Sequence, residues 1–558
     1  MRLAESAGTR AGHGSWLRGR GRRSRRLLAA AAGLAAAVSA GGIFAGAPAA
    51  SASASETVIV TSNGLLSPVT AVLDVLGTVL TQFQIIDGVE ASIPVALEPV
   101  LAALPGITVT PDASVSVESA VESTGPHTPS DAFLQQTGAT TLEAGGDTGQ
   151  GVTVAVIDTG IDNLPDFAGR LIGGVDLTGG NNPFEDAYGH GTFVAGLIAG
   201  DGASSGGQYA GEAPGADLVS IKVAGATGTT DLVRLILGLQ WAVTNRLADN
   251  IRVVNMSLGF RPFTSTAINP VDLAVEAAWN SGIAVVTSAG NAGPSNGTVL
   301  SPGDDPLAIT VGALDDMAQP AVGDDEMTNF SSVGPTVPDG WAKPDLVTSG
   351  RSVVSLAAPG STVYDENPSA RIGAANFAGS GTSFSSAITS GAAALVLADN
   401  PGLTPDELKA RLLATTSPGP VGNPFVDGHG ALNAYAAATA SPMNLSQSVS
   451  GLVPALLGTT VSLVPGGSTV DTWNPGLWSG VSWPQGSPGT QWNGNSWSGA
   501  AWNGFTWTSR AWNDGGWQGA AWNGQTWDGS AWDGTAWAGS AWNGAAWDDD
   551  AWSASEWN

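Results

Sequence analysis

The sequence predicts an α/β fold: a mostly parallel sheet with helices on both faces, preceded by a small α+β unit and followed by a repeat tail. Three patterns point there. Between residues 151 and 415, short apolar runs alternate with helical patterns, as in a sheet covered on both sides. From about Glu56 to Glu118, two helical patterns are interspersed with strand-like runs. From Trp492 to Trp557, a tryptophan stands at every fifth position, fourteen in all.

The beginning of the chain reads as an export signal over residues 1–54. A basic stretch, RGRGRRSRR, precedes an Ala-rich run and small residues ending in ASA at Ala50–Ala52 and Ala52–Ala54. Ser24-Arg25-Arg26-Leu27-Leu28 also looks like a twin-arginine signal. No later run is long and apolar enough to span a bilayer, so the mature protein is expected outside the cell. Without residues 1–54 the chain keeps 12 basic and 47 acidic side chains, a net charge of −35. Such a surface argues against nucleic acid and anionic membranes as partners. There is no cysteine, which excludes disulfides and thiolate metal sites.

In the small unit, residues 55–118, TVIVT reads as a strand and SPVTAVLDVLGTVL as a helix. QFQII and VEASIPV are strand candidates joined by a turn at Asp87-Gly88. LEPVLAAL reads as a second helix stopped by Pro105-Gly106, and ITVT as a last strand. Residues 119–147, rich in Ser, Thr, Gly and Pro, read as a linker. The main domain is placed at 148–436, a further linker at 437–470 and the Trp-rich tail at 471–558.

In a parallel sheet, ligand sites lie at the carboxyl ends of strands. That rule selects Asp158, which ends VTVAVID; Ser257, which follows RVVNM; and Asn291, just past IAVVTSA. A hydroxyl nucleophile needs a base within reach and a group to orient that base. Four histidines exist. His13 lies in the signal, His127 in the linker, and His429 near the end of the main domain. His190, in YGHGTFVAGLIAG, opens a helical pattern between two glycines. The stretch GSGTSFSSAIT offers four hydroxyls: Ser380, Ser383, Ser385 and Ser386.

AVIDTGID, GHGTFVAG, NMSLG, TSAGN and SGTSFSSAITSG occur in the order found in subtilisin-like serine proteases, the subtilases, and the chain resembles that family over about residues 148–436. The order Asp, His, Ser is itself the subtilisin order. The resemblance implies a subtilisin-like fold and a serine endopeptidase acting through an acyl-enzyme. It implies that Ser383 is the nucleophile, His190 its base, Asp158 the orienting carboxylate and Asn291 an oxyanion donor. Ser257, Leu258 and Gly259 would pair with substrate backbone, and Ser288, Ala289 and Gly290 would wall the main specificity pocket. The unit at 55–118 takes the place of an inhibitory propeptide, which makes the protein a zymogen. No cofactor is needed for the chemistry. Structural calcium is a family habit, but no ligand loop is recognisable.

Three positions depart from the common family pattern. Phe384 stands where most relatives have Met, Ala387 where they have Pro, and Leu300 where many have Gly at the pocket floor. Leu300 is therefore expected to favour small substrate residues. The tail's unit, W-[NDS]-G-x-[AST], contains its own turn formers and reads as an ordered array that binds a polymer such as polysaccharide. A protein acting mainly through that tail is the alternative to a protease. The expected partners are protein or peptide substrates, the chain's own propeptide and this polymer.

Overall fold

A computed structural model describes residues 55–62, 77–104, 106–117 and 128–440, positions 70 and 73, and eight two-residue strands between 501 and 547. The chain divides into two compact units, Met1–Asp112 and Ala113–Asn558. The expected signal and most of the first helix of the small unit lie outside the described residues.

In the first unit, β1 (Ser55–Ser62), β2 (Thr78–Gln82), β3 (Gly88–Pro94) and β4 (Ile107–Pro111) form an antiparallel sheet ordered β2-β3-β1-β4. The helix α1 (Glu98–Ala102) follows β3. Val58, Val60, Val89, Ala91 and Ile93 alternate toward one buried face, joined there by Leu97 and Leu101. The strand expected at QFQII starts earlier. Thr78–Leu80, read as the end of a helix, belong to β2, and only Gln82 of QFQII is in the strand. Gly77 breaks the helical pattern there, and pairing with β3 decides the local structure.

The second unit is built on a sheet ordered β14-β13-β12-β10-β6-β8-β7, with β15 also on β13. Its strands are β6 (Thr153–Asp158), β7 (Leu171–Asp176), β8 (Asp217–Lys222), β10 (Ile251–Met256), β12 (Ala284–Ser288), β13 (Ile309–Asp315), β14 (Glu326–Met327) and β15 (Leu346–Ser349). Every pairing is parallel except β13 with β14. The order places β6 and β10 side by side at the centre, so a crevice opens at their carboxyl ends.

The stretch expected as a linker, 119–147, carries helices where it is described, from residue 128 on. The helices α2 (Phe133–Gln136) and α3 (Ala139–Ala144) form there, and Phe133, Ala139 and Leu142 join the main core. Two helices run through that core: α4 (His190–Ala199), buried along its whole length, and the 18-residue helix Thr382–Asp399. The latter is rich in Ser and Thr, yet buried hydroxyls need partners. They find them: Thr389 Oγ1 donates to Ser385 O (3.0 Å), Ser390 Oγ to Asn255 Oδ1 (2.9 Å) and Ser385 Oγ to Ser349 O (3.1 Å). The helices α5 (Leu232–Asn245) and α6 (Pro270–Asn280) start at side-chain caps, Asp231 and Asn269.

In the tail, two-residue strands pair in parallel at a spacing of twenty residues. Ala501–Trp502 pairs with Ala521–Trp522, and that with Ala541–Trp542. Thr506–Trp507, Thr526–Trp527 and Ala546–Trp547 repeat the pattern. The pairing therefore recurs every four pentads.

Candidate active site

Asp158 is the last residue of β6 and is buried. Its Oδ1 and Oδ2 lie 2.8 and 3.0 Å from His190 Nδ1, and Oδ1 also accepts from Thr159 N at 2.8 Å. A carboxylate can only accept, so the imidazole carries its proton on Nδ1 and leaves Nε2 as the basic nitrogen. His190 Nε2 is buried with no hydrogen-bond partner.

His190 opens α4 after Gly189, which sits at φ 103°. A side chain at Gly189 would collide with Ser361 Oγ, and one at Gly191 with Gly160 O and, at 3.2 Å, with Asp158 Cβ. These glycines let the helix start press against the end of β6. Asp186 completes the arrangement. It accepts from Gly189 N (2.7 Å), Thr192 N (2.8 Å) and Thr159 Oγ1 (2.7 Å), while Thr159 Oγ1 accepts from Gly191 N (2.9 Å). Burial raises the Asp186 carboxyl, opposed by these donors. Sequence reasoning passed over Asp186 and Thr159. Asp186 stands four residues before His190, and that spacing was the available signal.

Ser383 is the second residue of the helix Thr382–Asp399 and is buried. Its Oγ donates to Ser257 O at 3.3 Å. Ser257 Oγ lies 3.0 Å from Ser383 O and 2.9 Å from Ser386 Oγ, and it accepts from Asn255 Nδ2 at 2.9 Å. The end of β10 is thus tied to the start of that helix. The other serines have structural partners: Ser380 Oγ accepts from Ser352 N, and Ser386 Oγ donates to Ser383 O.

Thr382 is a third residue that the sequence did not single out. Its N and Oγ1 both donate to Asn291 Oδ1, at 2.9 and 3.0 Å, and its Oγ1 accepts from Gly290 N at 3.1 Å. Holding the amide oxygen of Asn291 this way fixes its Nδ2 on the opposite side. Phe384, next to Ser383, lies 5.7 Å from the His190 ring and 4.4 Å from Phe193, centroid to centroid.

A segment of the chain itself lies along this cleft. β5 (Ser114–Val117) pairs antiparallel with β11 (Leu258–Gly259) on one side and with β9 (Thr229–Asp231) on the other. Val117 N donates to Gly228 O at 2.9 Å. Opposite β11, Leu300 N donates to Ala289 O at 3.0 Å, which ties it to the segment Ser288–Gly290. A Cβ on Gly259 would meet Leu300 Cδ1 at 2.9 Å, and one on Gly290 would meet Leu300 Cγ at 2.7 Å. The Leu300 side chain therefore fills space between the two segments. Among the described residues, no group of three or more His, Cys, Asp or Glu is arranged to hold a metal ion, and no helix is long and apolar enough to cross a membrane.

Residues 149–441 match the model of the Subtilase family. Serine protease AprX of Bacillus subtilis (strain 168) is 43% identical over 293 residues, 51% of this chain and 66% of that protein. Subtilisin NAT of Bacillus subtilis subsp. natto is 38% identical over 309 residues, 55% of this chain and 70% of that protein. The chain thus spans about two thirds of the length of these relatives. Among solved structures, fervidolysin from Fervidobacterium pennivorans, a keratinolytic enzyme related to subtilisin, aligns with a TM-score of 0.56 at 22% identity, over 70% of this chain and 62% of that one. That likeness bears on the fold alone.

Proposed function

The chain belongs to the subtilase family, and from that premise we propose that it is a secreted serine endopeptidase made as a self-cleaving zymogen. The observation that carries this reading is the buried His190–Asp158 pair at the end of β6, with the ring of Phe384, the residue after Ser383, 5.7 Å from the imidazole. In the first step Ser383 Oγ leaves the Ser257 carbonyl, gives its proton to His190 Nε2 and attacks the substrate carbonyl carbon. Asp158 stabilises the resulting imidazolium. Negative charge that develops on the substrate oxygen is met by the Asn291 side-chain amide and Ser383 N–H. His190 returns the proton to the leaving amine, the C–N bond breaks, and an acyl-Ser383 remains. Water, deprotonated by His190, then releases the acid.

A fluorophosphonate probe tests this. Labelling of the processed protein that disappears in Ser383→Ala is expected, and processed wild type that takes up no label would overturn the reading.

The strand β5 supports the zymogen. It occupies the place of an extended substrate between Leu258–Gly259 and Thr229–Asp231. Thirteen positions on, Ser130 is fastened elsewhere: Ser130 N donates to Ser352 O (2.9 Å), Val354 N to Ser130 O (3.0 Å) and Ser130 Oγ to Asp316 Oδ2 (3.0 Å). These anchors support self-cleavage somewhere between about Val117 and Ser130. Normal processing of Ser383→Ala in a protease-free host would exclude self-cleavage.

Leu300, lodged between Gly259 and Gly290, supports a shallow pocket that prefers Ala to Phe before the scissile bond. Overfilling a packed wall costs about 1–3 kcal/mol, or about 5- to 150-fold in selectivity. Leu300→Gly should shift a matched Ala/Phe peptide pair toward Phe by an amount in that range. Strong cleavage after Phe by wild type, unchanged in the variant, would free Leu300 of this role. The tail is proposed to bind a polysaccharide. Pull-down that is unchanged after deletion of residues 471–558 would remove that part.

A further inference from the structure

Behind the cleft lies a set of carboxyl groups that the chemistry above does not use. Asp272 and Glu276 stand one turn apart on α6, and Asp304 and Asp305 follow the pocket residue Leu300 by a few positions. All four are at most 3% exposed. Asp272 Oδ2, Glu276 Oε1, Asp305 Oδ2 and both oxygens of Asp304 are buried without a hydrogen-bond partner. The groups also act on one another: Asp272 faces Asp304, Asp305 and Glu276, and Asp304 faces Asp339 as well.

Among the described residues, cations meet these groups at Asp305. Asp305 faces Lys343 and Lys409, and its Oδ1 accepts from Leu307 N and Ala308 N at 2.7 and 3.2 Å. Both lysines are also drawn to Asp345 Oδ2, at 2.7 and 3.1 Å. Asp339, on the other side, accepts from Thr266 N at 2.7 Å. A crowd of buried acids so placed keeps protons that solvent-exposed acids lose. Burial, reinforced by Asp305, holds Glu276 up to about 8. Burial and the neighbouring acids raise Asp272 and Asp304 well above the carboxyl range, and burial raises Asp305 to about 6 against the pull of Lys343.

The cluster reaches the cleft through one side chain. Ser301 Oγ donates to Asp272 Oδ1 and accepts from Asn269 Nδ2, both at 3.0 Å. The backbone of Ser301 exchanges two hydrogen bonds with Phe260, at 2.9 and 3.0 Å, immediately after β11. Its neighbour Leu300 is bonded to Ala289. Residues 300 and 301 therefore join the two cleft segments, and Asp272 holds them from behind.

We propose that Asp272, Glu276 and Asp304 form a proton-sharing carboxyl cluster that positions the floor of the substrate pocket through Ser301 and loosens it as the cluster ionises. The inference rests on the cleft assigned above. Ionisation sets α6 against the turn at Asp304–Asp305 by like-charge repulsion, and the pocket floor is the segment between them. These are positioning residues, and none of them touches substrate.

The test is kcat and KM of the processed enzyme on an Ala-directed peptide amide from about pH 6 to 10, for wild type, Asp304→Asn and Ser301→Ala, each with chelator and with millimolar calcium. For wild type in chelator, KM should rise several-fold at the alkaline end without a matching fall in kcat. Asp304→Asn should lose that rise or move it to higher pH. Ser301→Ala should also lose it, while still showing the wild type's alkaline fall in thermal midpoint. A flat wild-type KM overturns the proposal, and decides it alone if a variant does not accumulate. An identical rise in Asp304→Asn overturns it too. A wild-type rise abolished by calcium makes the cluster a cation site instead of a proton store. If Asp304→Asn changes the thermal midpoint but neither variant changes KM at any pH, the cleft assignment fails and the cluster is structural.

Discussion

Two buried carboxyl sets lie in the same sheet domain, and they are satisfied in opposite ways. At the end of β6, Asp158 and Asp186 are surrounded by donors: Thr159 N, His190 Nδ1, Gly189 N, Thr192 N and the Thr159 hydroxyl. Behind the cleft, Asp272, Glu276 and Asp304 have few donors and face one another. The difference is one of backbone supply. The start of α4 presents free N–H groups to an acid placed before it, whereas at the start of α6 Pro270 has no N–H and the cap Asn269 already takes that of Val271, and Glu276 projects from the helix interior. Where donors converge, a charge can be kept and aimed at a base. Where they do not, the acid must hold a proton.

The first set should be the more sensitive to losing a charge. Asp158→Asn preserves shape but lets the side chain donate, which disfavours the Nδ1–H tautomer of His190. A fall in kcat of about 10⁴-fold is expected, with KM little changed. A fall of less than tenfold would mean that the Asp158–His190 bond is incidental to turnover.

The second set should respond in the opposite sense. The folded pKa of Glu276, about 8, lies above its usual 4.5. The folded protein therefore binds the extra proton, and the stability this contributes is present below about pH 4.5 and lost as pH rises through 8. Glu276→Gln should leave the thermal midpoint unchanged near pH 4.5 and raise it at pH 9, by the equivalent of at most about 5 kcal/mol. A lower midpoint at pH 9 would show that the glutamate is held by an attractive partner.

A smaller effect is expected at Thr382, whose hydroxyl and N–H orient Asn291. Thr382→Val removes one of two bonds to the amide oxygen, so kcat should drop by about tenfold. A loss equal to that in Asn291→Ala would show that the hydroxyl is the whole support. Smallest of all, mild peroxide should leave activity nearly intact, because Phe384 beside Ser383 lacks the oxidisable sulfur of Met. Rapid inactivation with modification mapped next to Ser383 would contradict this.

Within the donor-rich set Asp158 and His190 were legible in the sequence, while Asp186 and the whole donor-poor set were not. Asp158 ends a continuous apolar strand and His190 opens an apolar helix, so position relative to secondary structure was enough to select them. Asp272 and Glu276, four residues apart on a helix, have the spacing that an ordinary solvated face also shows, so nothing in the sequence marks them. Only the packing of α6 against the 301–305 segment shows them buried. The same gap explains Phe133–Gln136 and Ala139–Ala144. Helices of four and six residues have too few turns to announce themselves, and contacts with the core make them. The strand β5 was equally silent, since SVSV gains its conformation from Leu258–Gly259 and Thr229–Asp231 on either side.

On the zymogen reading proposed above, that strand makes inhibition a matter of dilution. While the connection from Val117 to Ser130 is intact, β5 is presented to its cleft by the same molecule, at an effective concentration on the order of millimolar. No dilution of the protein can lower that value. Once the connection is cut, the strand becomes a ligand in solution, held only by its own affinity, while the new end stays stitched through Ser130 to Ser352 and Val354. A crowded compartment would then keep the enzyme occupied, and release into a larger volume would set it working.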